Sequence, residues 1–388
     1  RQRLRNRLDE VEALAAAHSA LSRPAARGGP VPDCRALGSN TTMIEWKHVT
    51  SRTGALVTAV FAAFAGFTTH ASAGVLQSVR ERGHVVCGVS DRMPGLSAAG
   101  QNGRWSGLEV EFCGAVAAAV LGEREMVKFR PVSASEGARA LSQGEIDILL
   151  GGTAWTLSRE ADLGMRSAGV LYHHGQGLLV PRSFGVSSVL ELSGASICVQ
   201  QGTGAEIAAG SFFANRQMRA QFVLGEKWTD AVNAYRNGSC TLLTGDVAAL
   251  ALERNKMAVP ADHLLLPELI THEKSGPFVM QGDDPWLTVV QWTLLALIEA
   301  ERLGLATTTL ADFTNSADPE VRQFLGRETA LGAALGLQPN WTERVVGQVG
   351  NYGEIFNRTL GEGSQMKLPR GANELWTKGG LMAAPQFR

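Results

Sequence analysis

Two stretches of the sequence, ALSQGEIDILLGG (140–152) and AYRNGSCTLLTGD (234–246), repeat one order of structural signals. Each begins with a helix-forming segment, continues with a glycine that stops the helix, and ends with an apolar strand and a loop of small residues. A third stretch, ASICVQQGTGAEIAA (195–209), predicts a strand, a glycine turn and the start of a helix. The chain therefore predicts two α/β lobes that face each other and share one plan.

Residues 84 to 150, which include most of the first stretch, predict a β-α-β-α-β order. In sequence, the expected elements are a strand at 84–90 (HVVCGVS), a helix that begins at a capping box at 106–109 (SGLE) and ends at Gly122, a strand at 127–132, a helix capped by Ser135 and stopped by Gly144, and a strand at 146–150. That order implies a parallel sheet. A long apolar helix is expected at 286–303, followed by a largely helical tail to Arg388.

Length and composition narrow the class of protein. The 388 residues suggest two or three domains at roughly 150 residues each. Because 36 basic and 37 acidic side chains nearly cancel, no polybasic surface for nucleic acid is expected. No zinc-type CxxC, HExxH, nucleophile elbow or phosphate-binding loop occurs, so the sequence predicts neither a metal nor a cofactor.

The N-terminal part of the chain predicts export. Residues 43–73 combine basic Lys47 and Arg52, the apolar run TGALVTAVFAAFAGF and an Ala-Ser-Ala exit, which is typical of a secretory signal peptide cleaved after Ala73. Residues 1–42 lie upstream of it and are interpreted as a non-native leader without function. Beyond Ala73 no apolar run is long enough for a membrane span, so a periplasmic protein is expected.

Loops at the carboxyl ends of parallel strands are where ligands bind in such sheets. Four loops qualify here: Ser90-Asp91, the run from 151 to 154 that leads to Arg159, 202–204, and 244–246. An amino acid zwitterion needs a cationic fork for its carboxylate and an acidic oxygen for its ammonium. Arg159 and Asp246 supply these groups, and the amides of Thr203 and Gly204 at a helix N-terminus can bind an anion.

Each of these residues also has an ordinary structural interpretation. Arg159 follows Ser158 and could be a surface charge, and the Gly-Thr-Gly sequence at 202–204 could be only a tight turn. Asp246 could be the N-cap of the helix VAALALERN. The functional hypothesis therefore depends on the arrangement of these residues over two lobes.

Several motifs resemble the periplasmic amino-acid-binding proteins of ABC importers, and most of all the general L-amino-acid-binding subfamily. The motifs are CGVSDRMPG, WSGLEVEFCGAVAAAV, TAWTLSRE, CVQQGTGAE, QGDDPW, VGNYGEIFNR and LWTKGGLMAAPQFR, spread from about residue 75 to 388. The resemblance implies the type II periplasmic binding protein fold, in which two lobes with parallel-rich sheets close on a ligand around a two-segment hinge. It puts the hinge crossings near 180–184 and 273–279.

The resemblance implies lobe boundaries and partners as well. Lobe 1 comprises 74–182 and 278–388 with the C-terminal helical tail, and lobe 2 comprises 183–277. A protein of this family is not an enzyme, binds no cofactor, and delivers an L-amino acid to an inner-membrane ABC permease. We expect a monomer.

By resemblance, Arg159 clamps the ligand carboxylate, Asp246 meets the ammonium, and Thr203 donates through its amide and hydroxyl. Thr153, Gly204 and Ser90 complete the expected ligand-binding set. Three positions depart from the family pattern. Gly152 and Ala154 stand where hydrogen-bonding side chains are usual, and Leu96 stands where many relatives have an aromatic ring. These departures predict that the protein binds amino acids more weakly than its relatives do, or binds a narrower set of them.

Four of the five cysteines follow the signal peptide, and four cysteines allow three pairings. We predict Cys87 with Cys113 and Cys198 with Cys240, because a bond between lobes would oppose hinge closure. Disulfides also agree with an oxidising compartment.

Two other functions remain open from the sequence. Cyclohexadienyl or arogenate dehydratases resemble the same fold, but such an enzyme needs a further acid or base beside the ammonium-binding acid. The adjacent pair His173-His174 is read as ordinary strand or loop residues, because neighbours on a strand point to opposite sides. A degenerate ligand sensor is the third possibility.

Overall fold

The computed structural model describes residues 74–100, 102–328 and 331–388. The predicted leader (1–42) and signal peptide (43–73) lie outside the described residues. No helix in the described ranges has the length and apolar character that crossing a membrane requires.

The elements follow the order predicted from the sequence. From residue 75 to 167 they are α1 (Val75–Arg82), β1 (Val85–Val89), β2 (Arg92–Met93), β3 (Ser97–Ala99), β4 (Trp105–Ser106), α2 (Leu108–Leu121), β5 (Val127–Pro131), α3 (Ala134–Ser142), β6 (Ile148–Leu149), α4 (Leu157–Ala161) and β7 (Met165–Ser167). From 172 to 280 they are β8 (Tyr172–His174), β9 (Gln176–Pro181), β10 (Ala195–Gln200), α5 (Gly204–Asn215), β11 (Ala220–Gly225), α6 (Trp228–Arg236), β12 (Leu242–Asp246), α7 (Val247–Asn255), β13 (His263–Leu265), β14 (Glu273–Ser275) and β15 (Phe278–Met280). The rest of the chain forms α8 (Asp284–Arg302), α9 (Pro319–Phe324), α10 (Leu331–Ala334), α11 (Trp341–Val349) and α12 (Tyr352–Thr359).

Two five-stranded sheets share one arrangement. The first sheet has the order β5-β1-β6-β15-β7, and the second sheet has the order β11-β10-β12-β9-β13. In each sheet the first three strands are parallel and the remaining two neighbours pair antiparallel. The predicted parallel-rich sheets and the repeated plan are therefore confirmed.

The chain passes between the sheets through β8 and returns through β14. These two strands pair antiparallel, with His174 opposite Glu273 and Tyr172 opposite Ser275, and we call them the connecting ribbon. The second passage falls inside the predicted crossing at 273–279. The first lies earlier than the predicted 180–184, because β9 already belongs to the second sheet. The lobe boundaries of 182/183 and 277/278 stay predictions. The first of them would leave β9, a strand of the second sheet, in lobe 1.

The start of α2 differs from the predicted capping box at 106–109. Gly107 is the N-cap, and no side chain caps the helix. Gly107 has a φ of +128°, and a Cβ there would lie 2.1 Å from the carbonyl oxygen of Leu96. Glycine is therefore required, and Glu109 bonds elsewhere in the fold.

The start of α3 also differs from prediction. Its N-cap is Ser133 rather than Ser135, and Ser133 forms a capping box with Glu136. The sequence offers two serines two residues apart, and only the earlier one stands three residues before a glutamate. The predicted stop of α2 at Gly122 is confirmed, since Gly122 adopts the left-handed conformation there.

The C-terminal helices pack with the first sheet. One continuous hydrophobic core contains residues of β1, α2, α8, α11 and α12, and Trp286 and Tyr352 are among its largest fully buried side chains. The Trp286 indole donates to the carbonyl of Asp147, and the Tyr352 hydroxyl donates to that of Leu171. The second sheet has smaller cores, one of them around Phe213 and another around Tyr235.

Both predicted disulfides are confirmed. Cys87 of β1 is bonded to Cys113 of α2, and Cys198 of β10 is bonded to Cys240 ahead of β12. Each bond joins a parallel strand to a segment associated with the same sheet, so neither bond ties the two sheets to each other.

Removing either disulfide should lower the free energy of unfolding. The bonds join residues 26 and 42 positions apart, for which chain entropy gives about 3 to 4 kcal/mol each. Urea unfolding of the Cys87→Ala/Cys113→Ala and Cys198→Ala/Cys240→Ala variants measures this, and wild type in reductant is the control that loses both bonds. Unchanged midpoints, or a Cys87–Cys198 link in peptide mapping, would contradict the expectation.

Candidate functional site

The sequence-predicted site residues lie at the carboxyl ends of the parallel strands. Ser90 follows β1, and the loop at 151–154 follows β6, its parallel neighbour. These two loops touch, since a Cβ built on Gly151 would lie 3.1 Å from the amide nitrogen of Ser90. In the second sheet, 202–204 follows β10, and Asp246 ends β12. Each sheet thus brings two of the four loops to one edge.

A buried glutamate fixes the loop after β6. The Glu109 carboxylate accepts from the amides of Gly151 (3.0 Å) and Gly152 (2.7 Å) and from the hydroxyl of Ser97 (2.7 Å). Burial raises the pKa of Glu109, and these hydrogen bonds act in the opposite direction. Because both glycine amides bond to Glu109, they are not available to a ligand.

The departure at Gly152 has a geometric reason. Gly152 has a φ of +65°, and a Cβ there would lie 2.5 Å from the terminal methyl of Met93. Any larger residue would require a strained backbone and a displaced Met93. Leu96, which also departs from the family pattern, is only 3 % exposed and belongs to the core of the first sheet.

Arg159 is held by its own loop. It lies half-buried in α4, and its guanidinium donates to the carbonyl of Ala154 at 2.5 Å. The loop is tied in turn to the connecting ribbon, because the amide of Trp155 donates to the carbonyl of Lys274 at 2.7 Å. Arg159 has no further hydrogen bond to the residues that the structure describes, so most of its donors can meet a carboxylate.

The hydroxyls of the two predicted threonines have internal partners. Thr203 donates to the carbonyl of Gln200 at 2.7 Å, and buried Thr153 donates to the carbonyl of Leu150. Neither hydroxyl therefore has its proton free for a ligand. Thr203 is the N-cap of the twelve-residue helix α5, whose first-turn amides include that of Gly204. The Ser90 hydroxyl accepts from the amide of Arg92 at 3.2 Å, which leaves its own proton for another acceptor.

Asp246 is a helix cap whose side chain stays partly exposed. One carboxylate oxygen, Oδ1, accepts from the amides of Ala248 (2.9 Å) and Ala249 (3.3 Å), so Asp246 is the N-cap of α7. The other oxygen, Oδ2, lies 2.9 Å from Nδ1 of His174. The side chain is still 42 % exposed, so it can accept from a ligand as well.

His174 was not predicted to belong to the site. Its ring is stacked on Tyr172 with centroids 5.2 Å apart, and its side chain is 10 % exposed. The expected alternation of the pair is confirmed, because the His173 ring stacks instead on His272 at 5.3 Å. The partner of His174 lies 72 residues away in sequence, and no local pattern signals such a contact.

Gln176 joins the two loops of the second sheet. Its side-chain amide donates to the carbonyl of Ala205 and to the hydroxyl of Thr244, both at 2.8 Å. Gln176 is also paired with Asp246 in the register of β9 and β12. The start of α5 and the end of β12 are therefore fixed relative to each other.

No group of three or more His, Cys, Asp or Glu side chains among the described residues is arranged to hold a metal ion. The charged groups of the predicted site are a cation after the first sheet, Arg159, and an anion at the end of a strand of the second sheet, Asp246.

This fold and this site define a class of protein, the extracellular solute-binding proteins of bacteria. The model of family 3 of the bacterial extracellular solute-binding proteins matches residues 85–307, and the chain belongs to that family. The resemblance inferred from the sequence motifs is thereby confirmed.

Individual relatives cover most of the chain. The general L-amino acid-binding periplasmic protein AapJ of Rhizobium johnstonii is 42% identical over 88% of this chain and 99% of its own. The glutamate/glutamine/aspartate/asparagine-binding protein BztA of Rhodobacter capsulatus is 39% identical over 82% of this chain and 94% of its own. A periplasmic binding protein from Brucella ovis, solved with glutathione bound, is 40% identical with a TM-score of 0.71 and covers 81% of this chain and 100% of its own. These relatives are binding proteins, and they give the dehydratase alternative no support.

His173 should make the stability of the fold depend on pH. Burial, aided by the neighbouring His272 and Lys274, lowers the pKa of His173 from 6.5 to about 4. Between these values the unfolded state binds the proton and the folded state does not, so stability falls as the pH drops from 6.5 to 4. The loss attributable to His173 should reach about 3 kcal/mol.

The measurement is urea unfolding at pH 7 and pH 4 of wild type and His173→Phe, which keeps a flat ring against His272. The variant should lose less stability than wild type on acidification. Tyr172→Phe, on the same strand, is the matched control and should behave like wild type. Equal losses in wild type and His173→Phe would show that His173 does not contribute.

Proposed function

We propose that this protein binds L-amino acids in the periplasm and delivers them to an ABC permease of the inner membrane by closing on them. One observation carries the proposal: the Arg159 guanidinium after the first sheet keeps free donors, and the Asp246 carboxylate of the second sheet is partly exposed. A zwitterion needs both charges. The ligands named for the relatives AapJ and BztA are amino acids, which supports the same class here.

The roles follow from the hydrogen bonds that remain free. Arg159 takes the ligand carboxylate, aided by the amides of Thr203 and Gly204 at the N-terminus of α5, where the helix dipole favours an anion. Asp246 takes the ammonium through Oδ2. Ser90 can add its hydroxyl, whereas Thr153 takes part only through its backbone, because its hydroxyl bonds to Leu150.

Closure would use the connecting ribbon. The chain passes between the sheets only at β8 and β14 within the described ranges, and both disulfides leave this connection untouched. A ligand held by Arg159 and Asp246 interacts with both sheets only when they approach, so it stabilises the closed state. We propose that the protein acts as a monomer of two lobes, in which lobe 1 contains the first sheet and the C-terminal helices and lobe 2 contains the second sheet. The predicted boundary at 182/183 then moves to the start of β9, whereas the boundary at 277/278 is kept.

A second ligand class is favoured by the loop after β6. Gly152 and Ala154 bring no polar side chains to this loop, so these two positions add no side-chain hydrogen bonds that would restrict the ligand to a free amino acid. Glutathione carries the same α-amino and α-carboxyl head on its glutamyl part, and the Brucella ovis relative was solved with it bound. We propose glutathione-like γ-glutamyl peptides as the alternative ligands.

Thermal unfolding against the twenty L-amino acids and glutathione separates these ligand classes. A ligand at a hundred times its dissociation constant should stabilise the protein by about 2.7 kcal/mol. Stabilisation by amino acids supports the first proposal, and stabilisation by glutathione alone supports the second. No stabilisation by any compound would overturn both and favour a sensor that has lost its ligand.

Neutralising either charged residue should weaken binding strongly. Arg159→Ala and Asp246→Asn should each cost roughly 2 to 5 kcal/mol, or about 30- to several-thousand-fold in affinity, because the opposite ligand charge loses its partner. Asparagine keeps an oxygen for the cap of α7, so the variant tests charge rather than helix stability.

Calorimetric titration measures these affinities. Arg166→Ala and Asp162→Ala, both exposed in the first half of the chain, are matched controls and should bind like wild type. Unchanged affinity in Arg159→Ala would mean that the ligand binds elsewhere.

A further inference from the structure

Asp246 is held at both oxygens before any ligand arrives. Oδ1 accepts two amides of α7, and Oδ2 accepts from the His174 ring. Rotation of a free carboxylate about its last side-chain bond is broad, with no strongly preferred angle. The two amides restrict this rotation at Oδ1, and the histidine restricts it further by holding Oδ2, the oxygen proposed to face the ligand.

The His174 ring is itself fixed. It lies parallel to the Tyr172 ring, with 1° between the planes, and the backbone of β8 is paired with β14. The residue is only 8 % exposed. A rigid donor of this kind loses little freedom when it bonds, so it holds its acceptor more effectively than a mobile surface side chain would.

The bond to Asp246 also determines the tautomer. A carboxylate only accepts, so Nδ1 of His174 carries a proton and donates it. Nε2 is buried and has no hydrogen-bond partner in the described part of the chain. The ring therefore has one anchoring bond, which it makes to Asp246 across 72 residues of sequence.

The ribbon that carries His174 is also bonded to the loop of the first sheet. The carbonyl of Lys274 in β14 accepts from the amide of Trp155 at 2.7 Å, in the loop that leads to Arg159. His174 thus lies on a strand pair that contacts this loop, while its ring bonds to Asp246 at the end of β12.

We infer that His174 is a positioning residue of the ligand site, which aims Oδ2 of Asp246 at the ligand ammonium and so makes the site select for a protonated primary amine. The inference rests on the proposed function. Orienting the acceptor in advance reduces the ordering that binding would otherwise require, and affinity rises accordingly.

The test uses the full exported chain and calorimetric titration with L-glutamate, the amino acid that glutathione also contains. His174→Phe keeps a flat ring on Tyr172 and removes the donor, and it should weaken binding by about 10- to 100-fold, as for loss of a hydrogen bond to a charged group. His174→Asn places an amide N–H near the position of Nδ1, and it should bind within about 3-fold of wild type, the difference of a weaker neutral bond. Unfolding of both variants in urea serves as the control for the fold.

The outcomes separate the inference from the proposed function. Wild-type affinity in His174→Phe would overturn the inference alone, and so would a His174→Asn variant as weak as His174→Phe, because the donor would then not matter. Failure of the wild type to bind L-glutamate and every other compound of the panel would overturn the proposed function. If another panel member binds in its place, the same variants are titrated with that compound.

Discussion

The antiparallel pairing of β8 with β14 is the interaction on which the remaining arrangement depends. Through it the chain leaves the first sheet and returns from the second, so both passages are hydrogen-bonded to each other. The side chain of Asn373 holds the outer edge by accepting from the amide of His173 at 2.7 Å and donating to its carbonyl at 2.8 Å. On β14 the carbonyl of Lys274 accepts from the amide of Trp155 in the loop of Arg159, and on β8 the His174 ring bonds to Asp246. A ribbon of three residue pairs thus positions groups belonging to both sheets.

Two acidic residues, Glu109, which bonds to the loop after β6, and Asp246 at the end of β12, differ in how far they are exposed to solvent. Glu109 is 3 % exposed and accepts three hydrogen bonds, so its charge is fully used inside the protein. Asp246 is partly exposed and keeps access to a ligand. Removing a buried acceptor leaves several donors unpaired, at about 1 to 3 kcal/mol for each. The first acid therefore maintains the loop, and the second is the acid that the proposed function assigns to ligand recognition.

Local patterns were sufficient for much of this structure. The strands around Cys87 and Cys198, the glycine stops and the small-residue loops depend on neighbours in sequence, and all were predicted correctly. Long-range contacts were not. The sequence predicts Glu109 to be part of a helix cap and His174 to be an ordinary strand residue. Their partners, Gly151 and Gly152 for Glu109 and Asp246 for His174, lie more than 40 residues away, and no local pattern indicates such contacts. Gly152 stands where relatives place a hydrogen-bonding side chain, and the terminal methyl of Met93 fills the space that such a side chain would need.

The uneven distribution of the two sheets along the chain sets an order in which they can form. All five strands of the second sheet lie between 176 and 265, whereas the first sheet needs β15 at 278–280 between two strands made more than 100 residues earlier. The first helix of the described residues also has a distant partner, since the amide of Val75 donates to Asp283 across 208 residues. Closing loops of this length slows folding. The second sheet can therefore be completed by residues 176–265 alone, whereas the first sheet cannot be completed without residues up to 280.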